Sequence, residues 1–100
     1  MILYNVTIKV NNDVADEWVK WMTDEHMPEL MATGLFVDSK LFRLLEVDES
    51  DGITYAAQYF CRNMEDYEKY IADHAPAMRA SGLQRFPDKF VAFRTIMKKV

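Results

Sequence analysis

The sequence predicts an α+β domain in the order strand–helix–strand–strand–helix–strand, and three observations carry that prediction. Apolar residues alternate at the strand period in four segments, recur at helical spacing in two others, and a ten-residue phrase of the first half returns in the second. The chain has 100 residues, half of them apolar and 13% aromatic, which suits one domain with its own core. A single domain over residues 1–100 is the expectation.

Ile2, Tyr4, Val6, Ile8 and Val10 fall on one face of a first strand, 2–10. Asn11, Asn12 and Asp13 offer cap chemistry, and Asp16 and Glu17 suit the first turn of a helix. Val14, Trp18, Trp21 and Met22 recur at helical spacing, which predicts a helix over 13–33 closed by Gly34. A long second strand is expected over 35–47, then an acidic loop whose Asp51-Gly52 is a hairpin signal, then a third strand over 53–61. Asn63 to Asp66 can cap a second helix, predicted over 63–81, with Met64, Tyr67, Ile71 and Met78 on its apolar face. Pro87-Asp88 breaks the chain before a last strand over 90–97. The repeated phrase runs from His26 to Leu35 and again from His74 to Leu83, with His, Pro, Ala, Gly and Leu at equal offsets. Two βαβ halves of similar design make a ferredoxin-like antiparallel sheet with both helices on one face.

Charge narrows the function. A net charge of -4 and a pI near 5.1 argue against nucleic acid, whose binding rests on clustered Lys and Arg, and the only basic cluster is Lys98-Lys99. Cys61 is the single cysteine, so no internal disulfide can form, and its place at the end of an apolar run reads as a buried, inert thiol. The strand pattern begins at Ile2 without a basic segment before it, so an ordinary signal peptide is not expected. No run nears the roughly 18 apolar residues of a membrane span. No membrane association and a cytoplasmic location are the expectations.

Both faces of two strands look apolar. Phe90, Ala92 and Ile96 oppose Val91, Phe93 and Met97 on the last strand, and the second strand sets Phe36, Phe42 and Leu44 against Leu35, Val37, Leu41 and Leu45. Helices can cover one face only, so the other predicts a homodimer formed by sheet-to-sheet packing.

Four stretches carry a family resemblance. They are Ile2-Leu3-Tyr4-Asn5-Val6-Thr7; Trp18-Val19-Lys20-Trp21-Met22 through Glu25-His26-Met27-Pro28 to Thr33-Gly34-Leu35-Phe36; Tyr59-Phe60-Cys61; and Phe90-Val91-Ala92-Phe93-Arg94-Thr95. Over essentially its whole length the sequence resembles an uncharacterised bacterial domain-of-unknown-function family, number 4286. That family is similar to the dimeric α+β-barrel superfamily, with its antibiotic-biosynthesis monooxygenases, haem-degrading monooxygenases and muconolactone-isomerase-like enzymes. The resemblance implies the fold and the homodimer, and implies no particular activity.

The candidate chemistry starts with His26 and His74, each two residues before a proline that disturbs its helix. Either can satisfy carbonyls freed at a kink, the plainer role, or project into a pocket where a pKa near 6.5 suits proton transfer. If the two helices are antiparallel and about 8–10 Å apart, the histidine Cα atoms lie about 11–13 Å apart, too far to share one metal ion. No metal and no organic cofactor are expected. The loop Val47 to Gly52 fails as a calcium site, because Val47 and Gln58 stand where carboxylates are required.

Asn5 and Gln58 are amides on central strands, and mark either an interface hydrogen bond or a pocket wall. In the haem-degrading relatives an Asn on the first strand acts with a Trp and a His on the last helix; Asn5 and His74 are similar in kind. The Trp is missing, since the second helix offers Tyr67 and Tyr70 while Trp18 and Trp21 lie on the first. Tyr4, Tyr55 and Tyr59, with Trp18, Trp21, Met22 and Tyr67, can line an apolar pocket or simply fill the core. The leading expectation is a homodimer binding a small apolar molecule between helices and sheet. The alternatives are a cofactor-independent monooxygenase-like or isomerase-like enzyme using His26 or His74 as acid/base and Asn5 to orient the substrate, and a purely structural dimerisation module.

Overall fold

The computed structural model describes residues 1–100. The alternating segment Ile2–Val10 forms strand β1, followed by a single 3-10 turn, Asn12–Val14. Helix α1, Ala15–Trp21, passes through a π-helical turn, Met22–His26, into helix α2, Met27–Ala32. Strand β2 is Asp38–Arg43 and β3 is Ile53–Cys61. Helices α3, Met64–Asp73, and α4, Ala75–Arg85, precede strand β4, Phe90–Lys98. The four strands form one antiparallel sheet in the order β2-β3-β1-β4, as a ferredoxin-like fold requires.

The two prolines act differently. Pro28 has no N–H to give the carbonyl four residues back, and the helix absorbs the loss by widening. The Met27 amide donates to the Met22 carbonyl, five residues away, and all residues stay right-handed helical. Pro76 instead follows a break: His74 leaves the helical region at φ -125°, ψ -35°, and α4 starts afresh with the proline in its first turn. The first predicted helix is therefore one bent rod and the second is two rods. Neither histidine side chain donates to a kink carbonyl.

Other boundaries also differ from expectation. β2 is shorter than 35–47 because Gly34, at φ 77°, turns the chain and sends Leu35 and Phe36 into the core. At its other end Glu46 is left-handed at φ 59°. α4 runs on to Arg85, so Gly82 lies inside a helix, whereas its sequence counterpart Gly34 ends one. The acidic hairpin loop is held by cations. Arg43 donates to both carboxylate oxygens of Glu49, at 2.6 and 3.0 Å, and Lys9 reaches Asp51 at 2.7 Å.

Register decides the two faces. Tyr4 opposes Tyr59 on β3 and Ile96 on β4, so even positions of β1 and β4 and odd positions of β3 face the helices. Beneath the helices lies a core of 19 buried apolar residues, including Tyr4, Trp18, Leu30, Phe36, Tyr59 and Tyr70. Cys61 belongs to it, and burial pushes its thiol up to about 11, so it stays protonated and inert at neutral pH. The opposite face carries Leu3, Asn5, Thr7 and Lys9 of β1 and has no element of the chain over it.

Candidate functional site

Between the helices and the sheet the packing is incomplete. A cavity of about 280 Å³ lies between α1, the π turn, α4 and strands β1, β3 and β4. Its floor is fully buried and apolar: Leu30, Ala57, Tyr59, Trp18 and Tyr4. Its rim is exposed, formed by Arg79 and Leu83 of α4 and Arg94 of β4. The cavity thus opens to solvent along the seam between α4 and the edge strand. Gly82 helps to make the space, since a side chain there would point at Phe90 and Trp21.

Aromatic rings set much of the wall. Tyr4 sits 5.9 Å from Tyr59, 5.7 Å from Tyr70 and 5.6 Å from Tyr67, ring centre to ring centre. Trp21 packs edge-on against Phe86 at 5.6 Å and stacks on the His26 imidazole at 4.5 Å. Burial raises the tyrosine hydroxyl pKa values of Tyr59 and Tyr70, with neighbouring tyrosines adding to the effect, so both remain protonated.

The polar groups gather at one side. His26 leaves the π turn toward the cavity, where its Nδ1 is buried without a hydrogen-bond partner in the protein. Burial, and then the positive charge of Arg94, hold its pKa down at about 4, so the ring is neutral at physiological pH. Arg94 Nε donates to the Tyr4 hydroxyl at 3.2 Å. No Asp or Glu lines the cavity, whereas two arginines and one histidine do.

The residues singled out from the sequence separate accordingly. Tyr4, Trp18, Trp21, Met22, Tyr59 and His26 line the cavity. Asn5 and Gln58 do not: they oppose each other on the uncovered face, where Asn5 Nδ2 donates to Thr7 Oγ1 at 3.1 Å. A position one residue from Tyr4 along a strand must point the other way. His74 caps the break between α3 and α4 and stacks on Tyr70 at 6.2 Å, outside the cavity. Asn5 and His74 therefore cannot act together as the haem-degrading comparison suggests. Tyr55 packs on Trp18 at 5.0 Å and Tyr67 on Tyr4, and both stand behind the wall.

Sequence reasoning missed Arg79 and Arg94. The signal for Arg94 was a gap in the row Phe90, Ala92, Ile96, where a charge interrupts the apolar alternation of β4. For Arg79 it was the shared helical face with Gly82 and Leu83, three and four residues on.

The fold is shared with known proteins. Residues 1–100 match the family described as Domain of unknown function (DUF4286). The chain belongs to that family. No curated protein matches it in sequence. Among solved structures it is similar to MhuD, in a mutant form with two manganese protoporphyrin IX bound per active site: TM-score 0.73 at 16% identity, covering 100% of this chain and 95% of that one. It is also similar to SnoaB, a cofactor-independent oxygenase from Streptomyces nogalater, with TM-score 0.63 at 12% identity over 98% and 92% of the two chains. A dimeric ferredoxin-like protein from an uncultured marine organism gives TM-score 0.61 at 17% identity over 99% and 97%. These likenesses show that this member of the DUF4286 family has the ferredoxin-like fold. No helix of it is long and apolar enough to cross a membrane.

Proposed function

We propose that this DUF4286 protein binds a small apolar molecule in the cavity between helices and sheet, as one half of a homodimer. The observation that carries the reading is the cavity itself. Well-packed cores leave few voids larger than a water molecule, and this one is close to the lower end of ligand pockets, roughly 300–1,000 Å³. It has an apolar floor, a solvent-facing rim and few polar groups, which is how ligand sites are built. A purely structural module has no use for such a gap. The dimer rests on the uncovered sheet face, where Phe93 and Val91 are 69% and 59% exposed beside exposed Phe42 and Met97. A cytoplasmic location accords with the lone reduced cysteine.

Both tryptophans of the chain line the cavity, which supplies the test. Titration with a panel of apolar compounds of one to three rings is expected to give saturable changes in tryptophan emission and a rise in melting temperature. The same compounds should leave Gly82→Leu unaffected, because leucine fills the cavity. If wild type and Gly82→Leu respond alike, the cavity is not the site.

A second reading is favoured by one observation, the unpartnered Nδ1 of His26. In a cofactor-independent oxygenase or isomerase, a neutral imidazole at that place accepts a proton from a carbon acid of the ligand. Deuterium exchange into a bound ligand, followed by NMR and lost in His26→Gln, tests it; exchange at the same rate in both proteins excludes His26 as the base.

A further inference from the structure

The arginines of this chain divide into two groups. Arg43, Arg62 and Arg85 each reach a carboxylate, on Glu49, Asp66 and Glu17. Arg79 and Arg94, alone among the five, have no carboxylate within 4 Å, and both stand on the rim of the cavity. They come from separate elements, α4 and β4, so the fold brings them to one opening. An acidic protein of net charge -4 thus keeps an entirely acid-free cavity with two guanidinium groups at its mouth.

Two exposed guanidinium groups on one rim, neither with a carboxylate within 4 Å, leave donors that an anion can accept from. Guanidinium groups present planar, paired donors matched to a carboxylate. Arg94 is already oriented, because its Nε is engaged with the Tyr4 hydroxyl while its terminal nitrogens form no bond within the protein. Below the rim the surroundings turn apolar, except for the buried, unpartnered Nδ1 of His26.

We propose that the ligand is an amphipathic carboxylate, its anionic head held at the rim by Arg94 and Arg79 and its apolar body lying in the cavity toward Trp21 and Leu30. This rests on the small-molecule reading above and names the class of molecule it concerns. Electrostatic attraction to the two arginines also favours entry head-out, with the charge never crossing the apolar floor.

The experiment compares three heads on two bodies by calorimetry with the intact protein at pH 7.5. The probes are 2-naphthoate, 2-naphthamide and 2-(aminomethyl)naphthalene, and octanoate, octanamide and octylamine. The carboxylate of each body is expected to bind at least about tenfold tighter than its amide, and the amine most weakly. Arg94→Met and Arg79→Met should each erase most of that preference while leaving amide affinity within about twofold. Arg62→Met, remote from the cavity, should change neither. Their melting temperatures show whether each variant is folded, and rim positions are exposed enough to tolerate the change. Equal affinity for carboxylate and amide, with binding lost in Gly82→Leu, overturns the carboxylate assignment and leaves the cavity reading standing. Absence of binding for all six probes overturns both.

Discussion

Burial keeps the His26 imidazole neutral, and that has a sign in acid. In the unfolded chain a histidine takes up its proton near pH 6.5, and in the folded protein His26 does so only near 4. Between those values the unfolded state binds the proton and the folded state does not. The stability that a neutral, buried ring retains is therefore complete above about pH 6.5 and is lost as the pH falls toward 4. At about 1.4 kcal/mol per pH unit the loss is at most about 3.5 kcal/mol. The charge acting on the ring is that of Arg94 from β4, and Trp21 of α1 stacks on its face. Urea unfolding of wild type and His26→Gln at intervals from pH 4 to 7 should give curves that converge at one end and separate at the other; parallel curves exclude the shift. Gly82 makes a complementary case. A Cβ there would meet Phe90 and Trp21 at 3.6 and 3.7 Å, ordinary contact. Since alanine is a better helix former than glycine, Gly82→Ala should raise stability by about 0.5–1 kcal/mol and the melting temperature by about 2–8 °C. It should also weaken ligand binding by narrowing the cavity, so stability and binding move in opposite directions in one pair of measurements. At this scale the aromatic and methionine lining was legible, because Trp18, Trp21 and Met22 announce a helix face. Asn5 and Gln58 were not placed, since alternation separates two faces without saying which one the helices cover.

Elements were legible where period alone decides them and obscure where one backbone bond does. β1, β3 and β4 lie where alternation puts them, to within a residue. The prolines marked disturbances in both helical segments, but the sequence could not tell a π turn at Met22–His26 from a break at His74, since both begin with the same missing donor. The two halves that echo each other in sequence thus diverge in structure, and only the first aims its histidine at the cavity. Glycine at the turns is where local need is sharpest. A Cβ on Gly52 would lie 2.9 Å from the Val10 carbonyl oxygen and 3.1 Å from Lys9 side-chain carbons, so the hairpin can close only on a residue without one. Gly34 is needed for the other reason: its φ is 77°, with nothing within 4 Å of where a Cβ would be. Gly52→Ala should cost about 1–3 kcal/mol and Gly34→Ala about 1 kcal/mol. Asparagine separates the two causes, because it tolerates a left-handed backbone but not a clash. Gly34→Asn is expected to sit near wild type and Gly52→Asn at least as low as Gly52→Ala, read from urea midpoints at unchanged slope. The reverse order would mean that the clash is relieved by a small shift of β1.

At the scale of the whole molecule, the uncovered face of the sheet has a pattern that a face meant for water would not have. One row across the strands is polar, Lys40, Gln58, Asn5 and Thr95 in register. The rows on either side are mainly apolar: Phe42, Ala56, Thr7 and Phe93 on one, Asp38, Phe60, Leu3 and Met97 on the other. Such a band, with hydrogen-bonding groups flanked by large apolar side chains, suits contact with another sheet, where amides fix the alignment and the flanks exclude water. A second copy is the partner the chain itself provides, and a two-fold axis would set each polar row against its own copy. It also bears on the cavity. β4 contributes Phe90, Ala92 and Arg94 to the cavity on one side and Val91, Phe93 and Met97 to the open face on the other. Fixing that edge strand from outside would hold the Arg94 rim in place, so assembly and binding would be linked through one strand. Phe93→Asp places a charge in the apolar flank while leaving the helix side of β4 untouched. In sedimentation velocity the wild type is expected as a dimer at micromolar concentration, with the variant monomeric and its dissociation constant raised at least about 100-fold. The melting temperature of the wild type should rise with protein concentration and that of the variant should not. A monomeric wild type with a concentration-independent melting temperature would show that this face meets something other than its own copy.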